Sequence, residues 1–414
     1  MSLVEVVSPY VGLVTELDEL LPSPDDGRHF HVVAMPADPS ATLGRRGGTP
    51  GQPGSGYGSD RQSVRNAAIG EAVERYSAAY VPRDDLVVAT AHELGASAAA
   101  PETFALFAPE QYARPGFPFV RFAADTRLRW VRGRRLSDGA DAWLPAQLVY
   151  LGGLSTDEPM IAYSTSNGLA AAANWERALL SALLELVERD AFMLAWNARL
   201  SFPLLDWRAS DQLRSYYERY LAPARARLTA VDLSSVHDVP VVLATVRGSP
   251  GAFVVGAAAA LTVEDAWRKA VTEAYAVRKA ARELALSEPY SPFARDFHDV
   301  CEFGEHIHVY AYAENETRAS FLDASDEVRD PADVAPLEGG VAELVARLAR
   351  DSVETFAVNV TSPDVREVGL FVARAIAPRL TPLDVRHDAR FLGGDRLRTR
   401  CAFADINPDP HPFP

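Results

Sequence analysis

A chain of 414 residues, 48% hydrophobic and 23% charged, has the make-up of an ordinary globular protein with material for a large buried core. Its net charge of −15 argues against a general affinity for nucleic acid or for an anionic membrane surface. Two cysteines, Cys301 and Cys401, make no disulfide framework and have no partner at zinc-finger spacing, which fits a reducing cytoplasm. No basic stretch precedes the first apolar residues, and the longest apolar run, Gly251 to Val263, is too short to span a bilayer. The expectation is a soluble cytoplasmic protein.

Residues 1 to about 35 carry β-type runs, VEVV and HFHVVAM, and Pro36 to Asp60 reads as a Gly- and Pro-rich loop. That loop is either a linker or a flap over the helix that follows, since backbone N–H groups of such loops can cradle phosphate. No GK[ST] follows, so it is not a P-loop. A helix is predicted over Gln62 to Ala79, then a loop-rich segment to Pro118 and a strand pair over Leu128–Arg134 and Asp141–Tyr150. Met160 to Thr165 reads as a strand entering Ser-Asn-Gly-Leu-Ala, and a long helix follows from Trp175 to Asn197 with Asn174 as its N-cap. Arg208 to Leu228 reads as helical, then VDLSS, PVVLATVRG and AFVVGAAAAL as strands, and Glu264 to Ala285 as a helix. A loop around Pro289 to Asp299, a strand over HIHVYAY, a helix from Gly340 to Asp351 and a strand over TFAVNVT complete the pattern. Helices and strands alternate, so the fold class is α/β or mixed α+β. The domain reading is an N-terminal extension of residues 1–60 before one domain of residues 61–414.

The most informative motif is a pentad that occurs twice, Glu71-x-x-Glu74-Arg75 and Glu185-x-x-Glu188-Arg189. On a helix, carboxylates at i and i+3 share a face about 5–6 Å apart at Cβ. Such a pentad is commonly a solvated face, but here the charges sit among Ile69, Val73 and Tyr76, and among Leu183, Leu184, Leu186, Val187 and Phe192. Four carboxylates brought together repel unless a cation neutralises them, and hard oxygen ligands suit Mg²⁺, which shares its shell with water and substrate phosphates. This is the first indication of a nucleotide enzyme. Ser164-Thr165-Ser166-Asn167-Gly168-Leu169-Ala170, ahead of the second pentad, is either a helix-entry turn or a corner that binds phosphate or ribose. Glu273 and Arg278 lie five apart and not on one face, and with Arg268, Lys269 and Lys279 they read as a solvated basic face. His306 and His308 read as structural. The last residues alternate Pro408, Pro410, Pro412 and Pro414 with Asp409, His411 and Phe413, a rigid tail (about residues 405–414) that suggests docking over disorder.

Taken together, GEAVERYS, the Trp130/Gly133 to Pro145-Ala146 strand pair, STSNGLA, ELVERDAFMLAW, Asp232 with Pro240, TEAYAVR, EHIHVYAY and the proline tail resemble the YcaO family. The closest likeness is to its cyclodehydratases, which install azolines in ribosomally made peptides. The resemblance runs from about residue 60 to the end. It implies a YcaO-type fold with sheets packed on the two pentad helices, and ATP with Mg²⁺ as cofactors. Glu71, Glu74, Glu185 and Glu188 match catalytic and Mg²⁺-holding positions; Ser164 and Asn167 match nucleotide contacts; Arg75, Arg189 and Arg278 match positive positions around phosphate. Pro414 matches the end of a tail that orders the active site. The implied reaction is attack of a Cys, Ser or Thr side chain on the preceding carbonyl, phosphorylation of the oxyanion by ATP, and loss of phosphate. The implied partners are a ribosomal precursor peptide, a ThiF-like protein that binds its leader, a flavin-dependent azoline dehydrogenase and a second copy in a homodimer. Ala67 and Ala276 depart from residues common in the family, Ser and Gln, and put two single contacts in question. The rival readings are a YcaO enzyme making thioamides or amidines, and a non-catalytic scaffold.

Overall fold

The computed structural model describes residues 3–23, 25–38, 52–152, 157–248, 253–287 and 293–413. Contacts divide the chain into two compact units: Met1–Leu20 with Phe30–Leu186 and Leu344–Leu380, and Leu21–His29 with Val187–Glu343 and Thr381–Pro414.

The first unit holds two sheets. One is an antiparallel meander of β1 (Val14–Leu20), β2 (Phe30–Pro36) and β3 (Gly54–Gly58), which leads into helix α1 (Arg61–Ala78). The other is built from β4 (Val87–Ala89), β5 (Leu128–Arg135), β6 (Asp141–Pro145), β7 (Leu169–Ala172), β13 (Phe356–Asn359) and β14 (Phe371–Ile376). Its order is β4-β5-β13-β14-β7, with β6 on β5. On α1, Ala68, Ile69, Ala72, Val73 and Tyr76 recur at helical spacing and are fully buried in one core with Val32, Ala34, Leu144, Phe356 and Val372. Burying each of the larger side chains contributes roughly 1.5–3 kcal/mol.

The second unit is organised around a five-stranded sheet of β8 (Leu204–Leu205), β9 (Arg227–Asp232), β10 (Val241–Arg247), β11 (Phe253–Ala259) and β12 (Val328–Arg329), in the order β11-β10-β9-β8-β12. Helix α3 (Val263–Ser287) lies on β10 and β11 and buries Ala266, Trp267, Ala270, Val271 and Ala274. Helix α2 (Trp175–Asn197) begins in the first unit and passes into the second at Leu186/Val187, starting from the expected cap: Asn174 Oδ1 accepts the Arg177 N–H at 2.9 Å. Helices α4 (Phe303–Tyr310) and α5 (Gly340–Arg350) follow.

Most predicted elements are present, and the exceptions have identifiable causes. HIHVYAY is α4 and not a strand; the Glu305 carboxylate accepts the Glu302 N–H at 2.9 Å and starts a helix that alternation of bulky residues disguises. Met160 to Thr165 is irregular because its N–H groups find other acceptors, Ile161 donating to Gln147 Oε1 at 3.0 Å, and the strand is Leu169–Ala172. The helix predicted to Leu228 ends early, with Pro223 in a one-turn 3₁₀ segment and Arg225 at φ 51°, and Arg227 already begins β9. VEVV is a 3₁₀ turn at Leu3–Val6. Gly54–Gly58, read as loop, is β3. The glycine and proline positions at 39–51 and 288–292 lie outside the described residues.

Candidate functional site

In the first unit the site is built where β3 turns into α1. Asp60 caps the helix by accepting the Ser63 N–H at 2.8 Å. A Cβ on Gly54 would stand 2.3 Å from Ala68 O and 2.4 Å from Ala72 N, so only glycine lets the helix backbone lie directly on the strand. That proximity brings the Glu71 carboxylate to the strand: Oε2 accepts the Ser55 N–H at 2.7 Å, while Oε1 accepts from Arg75 at 2.6 Å. Arg75 also donates to Pro53 O at 3.0 Å and Gln52 Oε1 at 3.2 Å. Glu185 reaches in from α2, and its Oε2 accepts the Gly168 N–H at 3.1 Å. Gly168 has φ 77°, and a Cβ there would lie 2.5 Å from Ala375 O, so this corner requires glycine twice over.

Burial raises the Glu74 carboxyl well above the usual carboxylate range, and the negative charges of Glu185 and then Glu71 push it further, against the pull of Arg75 and Arg374. Arg374, on β14, is a residue that sequence reading missed. Its only signal is a lone arginine in the apolar strand FVARAI. It is buried and donates to Thr165 O at 2.8 Å and to Leu148 O at 2.7 and 3.1 Å, fixing the Ser164–Gly168 corner from behind. Burial lowers the guanidinium to about 10, and the charges of Glu185 and Glu74 oppose that shift.

In the second unit Glu188 accepts the Ala259 N–H on Oε2 at 3.2 Å. The Arg189 guanidinium lies 4.3 Å over the Phe413 ring, with Nε 3.4 Å from Glu188 Oε1. Behind the pentad Asp190 is fully buried, bonded to His237 Nε2 at 2.7 Å, to Arg396 at 3.1 and 3.2 Å, and to the Thr381 N–H at 2.7 Å. Burial pushes its carboxyl up, but the His237 bond and the charges of His237 and Arg396 outweigh this and hold it below its ordinary value. An acid following the pentad in the apolar run DAFMLAW was the available signal.

The tail is docked as expected, up to Phe413. Asp409 pairs with Arg199 at 3.2 Å and with Arg318; its carbonyl accepts from Trp196 at 3.2 Å, and Pro410 O accepts from Tyr310 at 2.7 Å. Phe413 is fully buried against Phe192, with ring centroids 4.9 Å apart. Pro414 lies outside the described residues. His411 donates to Asp384 O at 2.7 Å and stacks on His306 at 4.1 Å with 18° between planes; the His306 ring nitrogens lie 2.9 Å from His411 O and Val385 O. Among the described residues, His306, Asp384 and His411 form the one trio whose potential metal-ligating atoms all lie within 4.8 Å. Their near-parallel rings do not let one ion lie in both imidazole planes, so the trio is a fastening for the tail. Burial, and then the charge of His411, lowers His306 to about 3.

The first unit thus brings Glu71, Glu74 and Glu185 together with Arg75, and the second joins Glu188 and Arg189 to the tail. Ser164 is exposed at the corner, and Asn167 donates to Thr165 Oγ1 at 2.9 Å. Arg278 lies on helix α3 of the second unit. With Lys279 and Arg282 it is buried, not on a solvated face, and donates to Asp25 O at 2.7 Å while Arg282 pairs with Asp26 at 2.7 Å. Within the first unit the donor set fits Mg²⁺ carrying a phosphate: hard oxygens, Glu71 and Glu185 each oriented by a main-chain N–H, beside a Glu74 whose like-charge strain a divalent cation would relieve.

The family model described as YcaO cyclodehydratase, ATP- and Mg²⁺-binding, matches residues 55–381. The chain belongs to the YcaO family. ATP and Mg²⁺ are accordingly its cofactors. An uncharacterised protein of Methanothermobacter thermautotrophicus is 30% identical over 226 residues, covering 53% of this chain and 55% of that protein. A heterocyclase solved in complex with substrate and cofactor superposes with a TM-score of 0.79 at 24% identity, over 99% of this chain and 57% of that one. The chain therefore spans little more than half the length of both. YcaO from Methanopyrus kandleri, bound with AMPPCP and Mg²⁺, has a TM-score of 0.61 at 19% identity, covering 89% of this chain and 86% of its own. The E. coli microcin synthetase McbBCD complex has a TM-score of 0.61 at 13% identity, covering 96% of each chain. At these identities the solved structures establish the YcaO fold. Among the described residues no helix is long and apolar enough to cross a membrane.

Proposed function

We propose that this YcaO chain is an ATP-dependent cyclodehydratase that closes Cys, Ser or Thr side chains of a ribosomal precursor peptide onto the preceding backbone carbonyl, leaving azolines. The observation that carries this reading is the alternating proline tail, buried from Asp409 through Phe413 with that ring beneath Arg189 of the second pentad. A tail used in this way belongs to the azoline-forming branch that the sequence resembles.

Mg²⁺ and ATP, when bound, supply a phosphoryl group that turns a poor amide-oxygen leaving group into a good one. By the family resemblance Glu71, Glu74, Glu185 and Glu188 would hold the cation, and main-chain N–H groups aim Glu71, Glu185 and Glu188 so that little reorganisation would accompany binding. Ser164 and Asn167 hold the nucleotide at the corner that Arg374 fixes. Arg75, Arg189 and Arg278 supply positive charge to the phosphates. Pro414, one residue past the ring that packs on Arg189, orders the reacting end. A separate ThiF-like protein presents the substrate leader, and a flavin-dependent dehydrogenase oxidises azolines afterwards.

The test is to incubate the chain and candidate partner with ATP, Mg²⁺ and a Cys- or Ser-containing precursor, and follow mass. Loss of 18 Da per modified residue, about the mass of one water, supports azoline formation. Gain of sulfur in place of oxygen assigns the thioamide chemistry instead, and unchanged mass with intact ATP assigns a scaffold.

A further inference from the structure

Within the second unit, three widely spaced points of one chain segment meet a single turn of α2. The segment begins at Thr381, whose N–H donates to Asp190 Oδ1 at 2.7 Å. Midway, on the short helix Asp395–Arg398, Arg396 donates to Asp190 Oδ2 through Nε at 3.2 Å and through a terminal nitrogen at 3.1 Å. The far end brings the Phe413 ring against Phe192, with centroids 4.9 Å apart, and beneath Arg189 at 4.3 Å. Arg189, Asp190 and Phe192 lie within one turn of the helix, so the segment is a loop closed on the second pentad. His237, between β9 and β10, bonds the same Asp190 oxygen through Nε2 at 2.7 Å and ties that turn to the sheet.

We infer that Asp190 is a positioning residue: it pins the segment Thr381–Phe413 to α2 and thereby holds Phe413, and through that ring the Arg189 guanidinium, in place. What Arg189 then does rests on the proposed reaction; how it is held rests on these contacts. Two effects make the carboxylate the pin. The first is chain entropy. A span left free from Thr381 onward must close on α2 before the tail can dock, and fixing Arg396 leaves only the shorter span beyond it to be ordered. The second is charge. The side chains of Asp190 and His237 are fully buried and that of Arg396 is 10% exposed. Among the described residues Asp190 is the one carboxylate that Arg396 pairs with. A neutral residue at position 190 leaves the guanidinium buried without a counter-charge, a strongly unfavourable state that drives it, and the segment with it, towards water. The fastening of Asp409 on Arg199 and Arg318 lies nearer the end of the tail and survives this change, so the tail loosens without being lost.

Asp190→Asn keeps the shape and an acceptor for the Thr381 N–H and removes the charge. Arg396→Gln breaks the same pair from the other side and carries the test if Asp190→Asn does not fold. Hydrogen–deuterium exchange of the full-length protein is read at the N–H groups of Asn407, Asp409, His411 and Phe413, with those of β10 as the reference in the same unit. The inference predicts tail exchange roughly tenfold faster or more in both variants, unchanged exchange in β10, and a return towards the wild-type rate in Arg396→Lys, which keeps the charge. In peptide assays kcat falls roughly tenfold while the KM for ATP stays within about twofold, and Asp190→Asn combined with Phe413→Ala is no slower than Phe413→Ala alone, since both act through one ring. Wild-type exchange at the tail in both variants, equal acceleration of tail and β10, or losses of kcat that multiply in the double variant overturn the inference. Faster tail exchange in a protein whose wild type dehydrates no peptide supports the pin and overturns the cyclodehydratase reading.

Discussion

The two pentads have the same residues at the same helical spacing, yet their arginines are held differently. Arg75 is bound into its own unit by Glu71 and by the chain at Gln52 and Pro53, which leads into β3. Arg189 lies over the ring of Phe413, a residue far later in the sequence. The first arginine is thus fixed by local chain and the second by the proline tail. Identical motifs set carboxylate spacing, and the segment that packs over each arginine decides what it can reach. The tail packs on the arginine of the second pentad.

The largest effect expected from breaking this arrangement is at the shared feature. Glu185→Gln removes a charge yet leaves an acceptor for the Gly168 N–H, so turnover should fall roughly 10³-fold with little change in melting temperature. Stopped peptide assays beside calorimetric melting check this. Phe413→Ala attacks the second pentad alone. Peptide turnover should fall roughly 10²-fold as Arg189 loses its fixed position, whereas Mg²⁺-dependent ATP binding changes little. Equal losses in binding and turnover would show that the tail builds the nucleotide site itself. Arg374→Gln attacks the first unit: losing charged hydrogen bonds to Thr165 O and Leu148 O should cost about 1.5–3 kcal/mol of stability and raise the KM for ATP more than it lowers kcat. Arg374→Lys, which restores charge without the forked donor, should recover less than half of the lost affinity.

A smaller effect concerns pH. His306 is lowered to about 3, and His29 and His387 to about 4, chiefly by burial. The unfolded chain binds protons on these groups below about pH 6.5 while the folded chain does not. Stability should therefore be complete above that value and decline as pH falls towards 4, by up to about 1.4 kcal/mol per pH unit for each group. Because His306 and His387 lie beside the tail, urea midpoints and tryptophan fluorescence should shift at pH 5 relative to pH 7.

The sequence made the parts of this comparison legible to different degrees. Both pentads, their helices and the docking of the tail could be read directly, since apolar periodicity and a regular proline repeat are local signals. Arg374 could not, because its importance comes from β14 lying beside β7, a pairing of residues 371–374 with 169–172. The glycines of β3 looked like a flexible loop; they are a strand because α1 needs backbone in contact with backbone there. The helix α4 hid behind alternating aromatic residues. Arg374 and the β3 glycines depend on long-range packing, which no local pattern encodes, whereas α4 begins with a local cap that the alternation masks.

The most direct test of the central claim, that these carboxylates hold Mg²⁺ and ATP, is calorimetric titration with ATP in the presence and absence of Mg²⁺, for wild type and Glu185→Gln. The account predicts saturable binding that requires Mg²⁺ and is lost in the variant. ATP binding of equal strength without Mg²⁺, or undiminished in Glu185→Gln, would contradict it.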